Sequence, residues 1–164
     1  MGSQSSITKK DLNFAYISGF LDGDGSLMLQ VKKRSDTKQG WRFMTTICFY
    51  QDSNHEQPLY WIKQKLRAGY ITKRKDSMTE LRINGYSQCY TILKQLFPYI
   101  QFKKLQAKYL MQAINILNQK SITKLSLKDR EKLLFCMNKI QSNNYKSSRK
   151  KSEMQLRTIL GLTP

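Results

Sequence analysis

Residues 12–21, LNFAYISGFL, put apolar side chains on more than one face of a helix. Leu12, Ala15, Tyr16 and Phe20 fall to one side, and Phe14, Ile17 and Leu21 to another. A helix that is apolar nearly all round must be covered on two sides. One face therefore packs on the chain's own core, and the other needs a second partner. Ser18 and Gly19 leave room there for another backbone to come close. Thr8, with Asp11 three residues on, has the pattern of a capping box and starts the helix.

The far end of this helix runs into GFLDGDGS, residues 19–26, where Asp22 and Asp24 sit among three glycines. A carboxylate at a helix C-terminus faces the negative end of the macrodipole, which costs a few tenths to ~1 kcal/mol. The chain has 11 acids against 29 bases, so two acids placed there require a purpose. A calcium loop of the EF-hand type is excluded. Counting from Asp22, the sixth position is Leu27 where the turn needs Gly, and the twelfth is Lys33 where a bidentate Glu is needed. Ordinary turn chemistry, with the acids accepting backbone N–H bonds, is the simple alternative. A bound Mg²⁺ is the functional one, since that ion takes one or two carboxylates together with phosphate and water.

Strand patterns follow. Leu27, Leu29 and Val31 alternate with Met28, Gln30, Lys32 and Arg34, and Phe43, Ile47 and Phe49 alternate with Arg42, Met44, Thr46 and Cys48. The polar stretch SDTKQG joins the two as a hairpin. Pro58 opens a short helix carrying Leu59, Ile62 and Leu66. A second hairpin turns at Asp76-Ser77, with Ile71, Leu81 and Ile83 on one face and Tyr70, Thr72, Arg74, Glu80 and Arg82 on the other. The remainder is helical: a segment starting at Ser87 and stopping at Pro98, one over 103–118, one capped by Ser126, and a last short one capped by Ser152 with Gln155. This order predicts an α+β fold, an antiparallel sheet with helices on one face. Residues 1–8 are expected to be a tail and residues 9–164 a single domain.

The formal net charge of +18 implies a polyanionic partner. Between Phe102 and Lys151 there are thirteen Lys or Arg and two acids. The bases do not gather on one amphipathic helix, which favours nucleic acid over an anionic membrane. The outer sheet face, Met28, Gln30, Lys32, Arg34, Arg42, Met44, Tyr70, Thr72, Arg74, Glu80 and Arg82, mixes donors and acceptors that suit base edges in a major groove. A nine-residue strand spans ~30 Å, or about nine base pairs. Cys48, Cys89 and Cys136 are widely spaced and odd in number, as expected of reduced core thiols in an intracellular protein. With His55 the only histidine, zinc-finger and histidine-based nuclease chemistry are disfavoured.

YISGFLDGDGS resembles the signature helix of the LAGLIDADG homing endonucleases, with Ile17 to Gly25 filling the nine motif positions and Asp24 matching the last acid. Two further stretches share the resemblance: ICFYQ, ending in Gln51, and PYIQFKKLQAKYL, in which Lys103 matches a lysine near the scissile phosphate. One motif per chain is similar to the homodimeric branch. The resemblance implies an αββαββα core with a saddle-shaped antiparallel sheet for DNA. It also implies a double-strand endonuclease cutting a long near-palindromic site with Mg²⁺, with Ca²⁺ supporting binding without cleavage. Asp24 and the Gly23 carbonyl would hold metal, Gln51 would position water, and Lys103 would stabilise developing charge. Lys146, Arg149, Lys150 and Lys151 would hold phosphates, and Tyr16, Ser18, Gly19, Asp22 and Gly23 would form the dimer contact. Intron-encoded relatives imply an organelle, the chloroplast above the mitochondrion. The alternative on the same fold is an RNA-binding intron splicing cofactor, a maturase.

Overall fold

The computed structural model describes residues 6–144 and 150–162. Helix α1 spans Lys9–Asp24, so both acids are inside its last turn. It starts on the expected capping box: the Thr8 hydroxyl accepts from the Asp11 N–H at 3.2 Å, and the Asp11 carboxylate accepts from the Thr8 N–H at 2.9 Å. The chain then turns directly into β1 (Gly25–Lys33). Only glycine fits at this junction, because a Cβ on Gly25 would lie 2.5 Å from Leu21 Cδ1 and 2.7 Å from Leu21 O. Strand β2 (Trp41–Asp52) pairs antiparallel with β1, from Gly25 opposite Phe49 to Lys33 opposite Trp41. Helix α2 (Gln57–Leu66) leads to the second hairpin, β3 (Tyr70–Lys73) and β4 (Met78–Asn84). The strand order is β1-β2-β4-β3, so the two hairpins join through the β2–β4 ladder into one antiparallel sheet.

The inner sheet face, Leu27, Leu29, Val31, Phe43, Ile47, Phe49, Leu81 and Ile83, is buried against the helices. Those helices are α1, α2, α3 (Tyr86–Leu96), α4 (Lys104–Gln119) and α5 (Leu127–Asn143), with α6 (Glu153–Leu160) packed on α5. The predicted caps at Ser126 and Ser152 are both in place as capping boxes. Helix α3 starts at Tyr86, one residue before the expected Ser87. Its N-cap is Gly85 at φ +100°, a backbone conformation open to glycine. The three cysteines are free thiols in the interior. Among the described residues, no helix is long and apolar enough to cross a membrane.

Candidate functional site

The two acids of α1 have different fates. Asp22 turns inward and is only 7% exposed. Its carboxylate accepts from the backbone N–H groups of Gln101, Phe102 and Lys103 at 2.7, 3.2 and 2.9 Å. These donors form the turn that leads into α4, whose N-cap residue, Lys103, makes no side-chain cap. Asp22 therefore pins the turn that starts α4 from another helix, and the nearby positive end of that dipole offsets the penalty at the end of α1. Asp24, in contrast, is exposed. Lys103 folds back over the same corner, and its Nζ donates to the Asp22 carbonyl at 2.5 Å. Burial holds its ammonium below the usual lysine pKa, against the opposing attraction of Asp22 and Asp24. Gln51 lies two residues past the Gly25–Phe49 pair, beyond the point where α1 becomes β1. Its amide oxygen accepts from the Asp52 N–H at 3.0 Å. Asp24 and Lys103 thus share the end of α1, and the register carries Gln51 past the sheet edge at which that helix ends.

Among the described residues no three His, Cys, Asp or Glu gather into a cluster able to hold a metal. The corner instead offers one outward carboxylate with the Gly23 backbone beside it. That donor set fits a magnesium ion whose other positions are filled by water, phosphate and a second chain.

One stripe of α1 faces outward: Leu12, Ala15, Tyr16, Gly19 and Gly23 are all exposed, Tyr16 by 66%. Tyr16 packs edge-to-face with Trp61, at 5.5 Å between ring centroids. An added Cβ at Gly19 or Gly23 would have nothing within 4 Å. Two expected contact residues must be removed from this face. Ser18 is 0% exposed, because its hydroxyl points into the core and donates to Leu96 O at 3.1 Å. Asp22 is held by α4, as described above. Phe102 was not anticipated. It is 84% exposed beside Lys103, and a single phenylalanine outside any periodic pattern gives no sequence signal of its position.

The outer sheet face has two tiers. Lys32, Arg42, Tyr70, Thr72 and Arg74 are exposed, and Met28, Gln30, Arg34, Met44 and Arg82 are half-buried. Beneath them lie Thr46, Cys48 and Glu80, all buried. Glu80 was expected to face the groove directly. It does not, because Arg82 and Arg74 cover it and both its oxygens are engaged. Arg34 is paired with Asp36 on the hairpin, and Asn84 donates to the Tyr70 hydroxyl while accepting from Thr46. Lys150 Nζ donates to Gln141 O at 2.7 Å, and Lys151 Nζ to Val31 O at 3.4 Å, which ties the basic segment to α5 and β1. Lys146 and Arg149 lie outside the described residues. His55 is exposed in a short turn over Ser53–His55.

Comparison with known proteins identifies the fold and the family. The chain is 33% identical over 103 residues to the DNA endonuclease I-CvuI of Chlorella vulgaris, covering 63% of this chain and 64% of that protein. It is 26% identical over 99 residues to the DNA endonuclease I-CreI of Chlamydomonas reinhardtii, covering 60% of each. The matched stretch thus spans less than two thirds of either relative. The crystal structure of I-CvuI in complex with its target in the presence of calcium superposes with a TM-score of 0.79 at 26% identity, covering 94% of this chain and 98% of that one. Residues 17–117 match the LAGLIDADG endonuclease family across the signature helix, both hairpins and most of α4, and the chain belongs to that family.

Proposed function

We propose that this protein is a site-specific double-strand DNA endonuclease that works as a homodimer and hydrolyses phosphodiesters with a divalent metal, magnesium foremost. The observation that carries this reading is the pairing of an exposed Asp24 with an uncovered glycine stripe on the same helix. Two copies of α1 meeting along that stripe would bring two Asp24 side chains to the centre of a continuous polar sheet surface. The bound metal would polarise the scissile phosphate and activate water. Asp24 and the Gly23 carbonyl would hold it. Lys103, held over the corner by Asp22, would place its ammonium against the charge that builds on the phosphate oxygens. The Gln51 amide NH₂ is the donor that would orient the attacking water. The two relatives come from Chlorella vulgaris and Chlamydomonas reinhardtii. Together with the lysine-, asparagine- and isoleucine-rich sequence, this favours an organelle, the chloroplast first. The direct test is incubation with a randomised duplex library and Mg²⁺, followed by sequencing of cut ends. Recovery of one long, near-palindromic site supports the reading, and an uncut library overturns it.

The dimer has its own test. Gly19→Arg fits the lone chain, since nothing lies within 4 Å of the new Cβ, and replacing a mid-helix glycine favours the helix by roughly 0.5–1 kcal/mol. The variant is expected to melt at or above the wild-type temperature, to sediment as a monomer and to leave cognate DNA uncut. A Gly19→Arg variant that remains dimeric removes α1 from the interface.

Base readout and backbone contact separate in the same way. Arg74→Ala should relax preference at a few base pairs by about tenfold, the scale of one bidentate base contact. Lys150→Ala should weaken binding by one factor on every sequence. Competitive binding to a panel of single-base variants distinguishes the two. Identical profiles for wild type and Arg74→Ala take Arg74 out of readout.

A further inference from the structure

The centre of the outer sheet face contains a carboxylate where a polyanion would dock. A free acid there would repel phosphate and stay hydrated, yet Glu80 is buried and fully engaged. Arg82 Nε lies 2.8 Å from Oε2 and Arg74 Nη1 3.5 Å from Oε1. The Cys48 thiol, directly across β2 from Arg82, donates to Oε2 at 3.3 Å. Arg74 is also held by Asp76 at 2.7 Å at the hairpin tip. Arg82 lies on β4 and Arg74 in the β3–β4 turn of the same hairpin, and the two are not ladder partners. The shared carboxylate fixes one against the other. Each arginine keeps an exposed edge, 43% of the side chain for Arg74 and 31% for Arg82.

We propose that Glu80 is a positioning residue that holds Arg74 and Arg82 as one base-reading unit, with the Cys48 thiol supporting it from below. The inference rests on the reading of this face as the DNA-binding surface and adds the part of it that sets specificity. Long, flexible guanidinium arms lose freedom when they bind, and arms already aimed lose less. Arg82, contacted at Nε, keeps both terminal nitrogens, and Arg74, contacted once at each terminal nitrogen, keeps a second N–H on each, so a restrained guanidinium retains the paired donors that guanine O6 and N7 require. Burial pushes the Cys48 thiol up to about 11, so it remains a protonated donor near neutral pH. A second consequence follows from sharing. Preferences at the base pairs read by Arg74 and by Arg82 must be coupled, because moving one arm releases the carboxylate that aims the other.

The test is the positional cleavage profile, from a randomised site, of wild type, Arg74→Ala, Arg82→Ala, Glu80→Ala and Glu80→Gln. Glu80→Ala is expected to relax preference about tenfold at the positions that the two arginine variants relax, and nowhere else. Glu80→Gln keeps one acceptor but loses the charge that pairs with both guanidiniums, and should relax the same positions by a smaller, measurable factor. In the Arg74→Ala background, Glu80→Ala should have no further effect at the Arg74 positions. Should Glu80→Ala fail to fold, the Glu80→Gln profile decides: relaxation confined to the arginine positions supports the proposal, and an unaltered profile overturns it. Relaxation at positions that neither arginine governs would make Glu80 a direct reader and overturn the proposal. A wild-type profile flat at every position overturns the DNA reading itself, whereas a structured wild-type profile that both Glu80 variants reproduce overturns only the positioning role.

Discussion

Asp24→Asn is expected to abolish cleavage, by at least about 10³-fold, while the protein folds as well as wild type and still binds cognate DNA in calcium. The argument is one of sign. Asp24 closes α1 at its C-terminal end, where the helix dipole disfavours a carboxylate. It is exposed, so its removal leaves no cavity and no orphaned buried donor. On stability grounds alone the asparagine is neutral or favourable by a few tenths of a kcal/mol. A residue whose loss costs activity but not stability is present for chemistry. Three measurements separate the outcomes: thermal melting, gel shift in calcium and cutting in magnesium. Cutting at the wild-type rate would remove Asp24 from metal binding. A melting temperature several degrees lower would return it to the structural role that Asp22 already fills.

Much of this was legible in the sequence, for identifiable reasons. Alternation with a period of two assigns a strand's faces without knowledge of its neighbours, and the inner residues of β1, β2 and β4 are buried as that pattern requires. The capping boxes at Thr8, Ser126 and Ser152 are local, four residues long, and all form. The failures lie where the deciding contact is a tertiary one that periodicity does not report. Ser18 carried the signal of a small residue at a helix contact, but its partner is Leu96 of the same chain, 78 residues on. Glu80 alternates correctly onto the outer face, and only the arrival of Arg74 and Arg82 from the same hairpin and Cys48 from β2 buries it. Periodicity names the face of a sheet but not the depth on that face. Depth depends on which long side chains fold over which short ones. The same limit hid Phe102, whose position follows from the turn that Asp22 imposes 80 residues away.

Asp22→Ala should be the most destabilising single change at the site, by about 3 kcal/mol, with a melting temperature lowered by about 10 °C in a domain of this size. Three backbone donors lose their acceptor at once. Water can reach the N–H groups of the exposed Gln101 and Phe102, whereas that of Lys103 is buried and would stay unpaired. Asp22→Asn should rescue little. Its amide keeps one oxygen to accept with, but turns an NH₂ toward donors that need an acceptor. The functional loss should exceed the loss in affinity. The Lys103 ammonium is fixed through the Asp22 carbonyl, and a relaxed 101–103 turn lets it drift from the corner where Asp24 lies. At a temperature where the variant is still folded, the cleavage rate should therefore fall further than calcium-supported binding. An Asp22→Ala protein that melts within a degree or two of wild type would show that the 101–103 turn holds without Asp22. The two acids at the end of α1 would then have to be explained together as metal ligands, and not as one that builds the corner and one that uses it.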